Sequence, residues 1–149
     1  MDFHVIDIIV VISANLINLL IVGIFLSRPA GQIKLERTLG LINISLGIPL
    51  IVAVITNIVF KRVWWAIVLP VFMILFLIVE LILDYIIKYN FRSTRLLWPY
   101  LLLFYFSQWM LIGYSFQVNN WLGFFTLGTY FLSLGSAWYS YSKVGHGNR

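Results

Sequence analysis

Two acidic residues, Glu80 and Asp84, lie inside a long apolar stretch of the chain. Their spacing of four residues puts them on one face of an α-helix, and Lys88 extends that row by four more. At 1.5 Å per residue, Glu80 lies about 12 Å deeper in the apolar stretch than Lys88. An isolated charge at that depth is costly, so the carboxylate must be paired or must hold a proton. The spacing therefore makes these two acids candidates for a ligand or proton site.

Amide side chains on the other predicted helices reach comparable depths and could complete the site. Asn15 and Asn18 are three residues apart, so they are neighbours on one face of the first helix. We expect Asn43, Gln108 or a tyrosine to hold the Glu80 carboxylate, because a buried acid needs a hydrogen-bonding partner. The candidate ligand or proton site comprises Glu80, Asp84, Asn15, Asn18, Asn43 and Gln108.

A basic loop follows the two acids and carries Lys88, Arg92 and Arg95. Any of these three bases could pair with Asp84. Alternatively, they could contact a phosphate or a lipid head group, because lysine and arginine donate charge-assisted hydrogen bonds to phosphate oxygens. The sequence leaves both interpretations open.

The same polar residues also support a purely structural interpretation, since asparagine, glutamine and serine hold helices together inside a bilayer. Catalysis is the least supported of the interpretations. Nothing in the sequence assembles a nucleophile, a base and an oxyanion donor, so we assign no catalytic residue. The chain contains no cysteine and only two histidines. We therefore predict neither a metal site nor a cofactor.

Hydropathy predicts the elements that must position these side chains. Of the 149 residues, 62% are hydrophobic and 10% are charged, whereas soluble domains carry about 25% charged residues. The stretch 96–142 contains no charged residue at all. A helix that crosses a bilayer needs about 20 apolar residues. We predict one all-α membrane domain over residues 1–149, a bundle of five transmembrane helices at residues 5–26, 38–60, 63–87, 96–116 and 121–141.

The distribution of basic residues predicts the orientation of this bundle. Eight of the 10 lysines and arginines fall in the first loop, the third loop and the C-terminal segment. The other two, Lys61 and Arg62, lie on the opposite side, together with the acidic N-terminus. The positive-inside rule then places the N-terminus outside and the C-terminus inside a cytoplasmic membrane of prokaryotic type. The net charge of +5 serves topology, and we expect no nucleic-acid partner because no basic face is left for one.

These features predict a small multi-pass membrane protein with a polar intramembrane core. We expect a non-enzymatic protein that binds a membrane-protein partner or a small apolar ligand. Membrane lipids are expected partners, and the sequence is compatible with a homo-oligomer. One alternative is a small transporter or proton-coupled carrier that uses Glu80 and Asp84. The other is a membrane enzyme that modifies lipids at the inner face.

Overall fold

The computed structural model describes residues 3–145 and, within them, contains helices and short connections but no strand. This confirms the prediction of an all-α chain. Arg149, one of the basic residues counted above, lies outside the described residues. The helices are α1 (Phe3–Ser27), α2 (Ile33–Ser45), α3 (Gly47–Val59), α4 (Trp64–Glu80), α5 (Leu97–Val118) and α6 (Asn120–Val144). A π-helical segment, Leu81–Ile86, continues α4, and a short 3-10 turn, Phe91–Ser93, precedes α5.

The second predicted helix is interrupted, and it begins earlier than predicted. Helices α2 and α3 form one segment, Ile33–Val59, with a break at Leu46. Pro49 follows in the first turn of α3, and it has no N–H to donate to the carbonyl group four residues earlier, which weakens the helical ladder there. The charged start of α2 is helical rather than a loop. Its Glu36 is buried in an ion pair that holds this turn against the end of α1.

Four helical segments are long and apolar enough to span a membrane, namely Phe3–Ser27, Ile33–Val59, Trp64–Ile86 and Leu97–Val118. Within the described residues, α6 has 25 residues but is not among them. Its length reaches about 37 Å at 1.5 Å per residue, so composition rather than length sets it apart. A stripe of buried threonine and serine side chains accounts for its polarity: Thr126, Thr129, Ser133, Ser136 and Ser140.

Helix α1 lies at the centre of the bundle. It packs against α2, α3, α5 and α6, while α4 packs between α3 and α5. Half of the apolar window of α1 is buried, compared with 28–39% in the other three candidate spans. Outside this core, large exposed side chains such as Ile12, Val52 and Phe131 cover the bundle. An apolar outer surface of this kind suits a hydrocarbon environment, so polar groups are directed inward.

Candidate ligand-binding site

The basic loop after α4 folds back onto the helix through Arg92. Its Nη1 donates to Oδ1 of Asp84 at 3.0 Å, and its Nη2 donates to Oδ2 at 2.7 Å. Both side chains are only 9% exposed. Burial by itself would lower the pKa of Arg92, but the hydrogen bonds and the negative charge of Asp84 outweigh burial and raise it. Asp84 is therefore held by Arg92, whereas the side chains of Lys88 and Arg95 are exposed.

The turn that carries Asp84 is π-helical, which changes the predicted row of charges. The N–H group of Ile87 donates to the carbonyl group of Ile82, five residues earlier, at 2.8 Å. Lys88 then adopts a positive φ of 54°, and the helical row ends before it. Single π-helical turns of this kind are frequent at functional sites. Because a π-helical turn contains more residues than an α-helical turn, the offset of Asp84 from Glu80 around the helix axis differs from that in a regular α-helix.

Glu80 receives its hydrogen bond from a different helix. The side chain of Asn43, on α2, hydrogen-bonds the Glu80 carboxylate. Two buried oxygens at this contact, Oε2 of Glu80 and Oδ1 of Asn43, have no hydrogen-bond partner among residues 3–145. Each can accept a hydrogen bond, so the contact lacks a donor. Among the hydrogen-bonding partners that the sequence suggests for Glu80, Asn43 is the one that contacts its carboxylate.

A second buried ion pair lies at the same end of the bundle, where α1 ends and α5 begins. Nε of Arg28 donates to Oε1 of Glu36 at 2.8 Å, with the two side chains 15% and 7% exposed. The guanidinium group of Arg28 also lies 4.9 Å from the centre of the Phe25 ring. Sequence reasoning missed this pair, although Glu36 is the one acid in an otherwise basic segment. We define the Glu80 cluster as Arg28, Glu36, Asn43, Glu80, Asp84 and Arg92.

Two cavities adjoin the Glu80 cluster. The larger measures about 480 Å³ and lies between α1, α5 and α6, with Arg28, Arg92 and Ser140 among its lining residues. Ser140 is 1% exposed, and its Oγ is buried with no partner among the described residues. The smaller cavity measures about 40 Å³ and is lined by Glu80 and Asn43. The two cavities share Phe25, Arg28, Tyr100 and Phe104.

The asparagines of α1 belong to a separate network. Asn15 donates to Oγ1 of Thr126 at 3.0 Å, and its Oδ1 accepts from Oγ1 of Thr129 at 2.8 Å. Asn18 donates to the same Thr129 oxygen at 2.9 Å. These hydrogen bonds join α1 to α6, as expected for interhelical contacts inside a bilayer. Gln108 is 1% exposed, and it lines neither cavity. Asn15 and Asn18 therefore bond to α6 rather than to Glu80, and Gln108 does not share the cavity that Glu80 and Asn43 line.

A second ionic cluster occupies the opposite end of the bundle. We define the Asp7 cluster as Asp7, Asn57, Arg62 and Tyr114. Arg62 donates to both carboxylate oxygens of Asp7 at 2.6 and 3.1 Å, and the Tyr114 hydroxyl donates to Oδ1 at 2.7 Å. The hydrogen bonds and the charge of Asp7 raise the pKa of Arg62. Sequence reasoning assigned Arg62 to topology alone, because its partner lies 55 residues away.

Comparison of the chain with family models, with curated proteins and with solved structures gave no match. Over residues 3–145, no group of three or more histidine, cysteine, aspartate or glutamate side chains is placed to hold a metal ion.

Proposed function

We propose that the chain is an integral membrane protein that binds a small apolar or amphipathic molecule in the larger cavity without transforming it. The observation that carries this proposal is the cavity of about 480 Å³ beside the Glu80 cluster. Small-molecule sites measure roughly 300–1,000 Å³ and combine apolar walls with a few polar groups. Ser140 lines this cavity, and its buried Oγ has no partner within residues 3–145, whereas buried polar atoms in folded proteins nearly always have partners.

The walls of the cavity favour an apolar ligand body. Most of its lining side chains are aromatic or aliphatic, including Tyr100, Leu101, Phe104 and Trp138. Both arginines in the lining are held by carboxylates, Arg28 by Glu36 and Arg92 by Asp84. An anionic ligand would have to displace one of these buried partners, which costs free energy. The arrangement therefore favours a ligand without negative charge.

The cavity can be tested with an alkyl diazirine, an apolar probe that forms a covalent bond with nearby residues under light. We expect labelling of purified protein to concentrate on the facing walls of α5 and α6, at Leu101 and Leu134, which line the cavity and are half-buried. An excess of unlabelled dodecane should suppress that labelling because it competes for the same volume. Labels confined to outward side chains such as Phe131 would contradict the proposal, since those side chains contact any surrounding detergent.

A matched pair of variants makes this test specific to the cavity. Ala137 lines the cavity and is half-buried, so Ala137→Phe fills part of the volume and should reduce labelling. Leu132, on the same helix, is 60% exposed, so Leu132→Phe adds a comparable ring outside the cavity and should leave labelling unchanged. Equal labelling of both variants would mean that the probe does not enter the cavity.

We also propose the N-outside, C-inside orientation in a cytoplasmic membrane of prokaryotic type. Arg28 and Arg92 line one cavity, whereas Lys61 and Arg62 lie at the other end of the bundle. This separation supports the orientation that the positive-inside rule predicts. The chain contains no cysteine, so single cysteines report without interference. We expect Lys61→Cys to react with an impermeant reagent from outside intact cells, and Arg95→Cys to react only after the membrane is opened. Reaction of both from outside would overturn the orientation.

A proton-coupled carrier is the second candidate, and the unpaired Oε2 of Glu80 favours it. Asp84 does not support this role, because both of its oxygens are engaged by Arg92. The carrier hypothesis predicts that Glu80→Gln abolishes proton-driven movement of the substrate across proteoliposomes. The lipid-modifying enzyme has weaker support, since Arg92, which would bind its phosphate, is already held by Asp84.

A further inference from the structure

The two cavities are neighbours that differ chemically, and we treat them as the two parts of one candidate site. Four residues, Phe25, Arg28, Tyr100 and Phe104, line both of them. The larger part is an apolar chamber of about 480 Å³, and the smaller part, of about 40 Å³, has Glu80 and Asn43 in its lining. A ligand that filled both parts would have an apolar body and a compact polar head.

The polar atoms of the smaller part specify what this head must supply. Oε2 of Glu80 and Oδ1 of Asn43 are buried acceptors without a partner among the described residues. An amide oxygen is an acceptor only, and so is each oxygen of an ionised carboxylate. A head group that fits here must therefore donate hydrogen bonds.

The charge balance of the Glu80 cluster favours a cationic donor. The cluster contains three carboxylates, on Glu36, Glu80 and Asp84, but two guanidinium groups, on Arg28 and Arg92. Each guanidinium group is bonded to one of the other acids, so the charge of Glu80 is left without an ion-pair partner in this set. One further positive charge beside Glu80 would balance the cluster.

We infer that the site takes a single-chain amphiphile with a protonated primary amine as its head. The ammonium group donates to Glu80 and Asn43 in the smaller cavity, and the alkyl chain fills the apolar chamber. The head must be compact, because about 10–15 Å³ holds one water molecule and the smaller cavity measures about 40 Å³. A phosphate ester or a quaternary ammonium group is too bulky for this space. This inference rests on the proposed function, since it names the ligand of the same cavity.

A series of amphiphiles with one tail and different heads tests the inference on the unmodified protein. Dodecylamine, dodecanol, dodecyltrimethylammonium and dodecanoate each compete with the alkyl diazirine for the detergent-solubilised protein. We expect dodecylamine to compete at least about tenfold better than the other three, because hydrogen bonds to charged groups are the strong ones. Dodecyltrimethylammonium has the charge without an N–H donor, and dodecanol has a donor without the charge.

Variants then assign the preference to Glu80. Glu80→Gln should lower the competition by dodecylamine to the level of dodecanol, because the negative charge is lost while the size is kept. Lys88→Gln removes an exposed charge from the end of the same helix and should leave the preference intact.

The outcomes separate this inference from the proposal beneath it. Equal competition by all four amphiphiles would overturn the amine head but support the apolar site. The same holds if dodecanol equals dodecylamine, which would mean that a proton on Glu80 or a water molecule supplies the missing donor. If none of the four competes with the probe, the proposed function itself fails.

Discussion

The Asp7 cluster and the Glu80 cluster show that two buried ionic groups in one bundle can differ in kind. Neither Asp7, Asn57, Arg62 nor Tyr114 has a buried side-chain atom without a partner in the described structure, and none of the four lines either cavity. The Glu80 cluster leaves two acceptors unpaired and adjoins both cavities. Buried charge is therefore common to both ends of the bundle, and the unpaired acceptors beside the cavities distinguish the Glu80 cluster.

This difference follows from which helices each cluster joins. In the Asp7 cluster, Arg62 comes from the short connection between α3 and α4, and it reaches α1 directly. Its guanidinium group also lies 4.8 Å from the ring centre of Phe3 and 5.8 Å from that of Trp65. In the Glu80 cluster, Arg28 and Arg92 are each occupied by another acid. Glu80 is left to a neutral amide, which cannot balance its charge.

The largest expected effect on stability comes from breaking the ion pair of the Asp7 cluster. Arg62→Met should lower the free energy of unfolding by about 3–5 kcal/mol, because it leaves the buried Asp7 carboxylate without its counter-charge. Thermal unfolding of the purified protein in detergent measures this loss. Lys61→Met, at the neighbouring exposed position, is the control and should change stability little. If both variants were equally stable, the ion pair between Arg62 and Asp7 would not stabilise the fold as its contacts indicate.

A matched pair of tyrosines gives the next largest difference. Tyr114 donates to Asp7, whereas Tyr100 lines both cavities. Tyr114→Phe should cost about 1.5–3 kcal/mol of unfolding free energy, the range for a hydrogen bond to a charged group. Tyr100→Phe should cost far less in the same unfolding assay. Equal losses of stability would remove the distinction between the Asp7 cluster, whose polar atoms are paired, and the Glu80 cluster beside the cavities.

Much of the fold follows from the sequence because a bilayer demands long apolar segments, and four helical segments of the described chain meet that demand. The partner of Asp84 was also within reach, since Arg92 lies eight residues away in the following loop. The break at Leu46 lies three residues before Pro49, and a proline inside an apolar segment is a sequence signal for a kink. The π-helical turn at Asp84 was not predicted, because it depends on local hydrogen bonding that hydropathy does not record.

The cavities and the long-range ion pair lay beyond sequence reasoning for a different reason. A helix in hydrocarbon is apolar on its outer face as well as its inner face, so periodicity reveals little about which neighbour a side chain meets. The pairing of Asp7 with Arg62 depends on how α1 packs against the α3–α4 connection. The larger cavity depends on the spacing of α1, α5 and α6, which no single segment of sequence specifies.

The smallest expected effect is a gain in stability rather than a loss, and it tests the Glu80 cluster. Glu80→Gln should raise the free energy of unfolding by about 1 kcal/mol, because the new amide supplies a donor to Oδ1 of Asn43 and removes an unbalanced charge. Asp84→Asn, on the same helical segment, is the matched control. It should lower stability by about 3–5 kcal/mol, since it leaves buried Arg92 unpaired.

The two acids should therefore respond in opposite directions to the same chemical change, from carboxylate to amide. Unfolding is measured in detergent without any added amine, because a bound ligand would stabilise the unmodified protein by mass action and mask the gain. A loss of stability in Glu80→Gln, comparable to that in Asp84→Asn, would show that the Glu80 carboxylate is as firmly paired as Asp7. The unpaired oxygens beside the smaller cavity would then be a feature of packing, and the two ends of the bundle would no longer differ in kind.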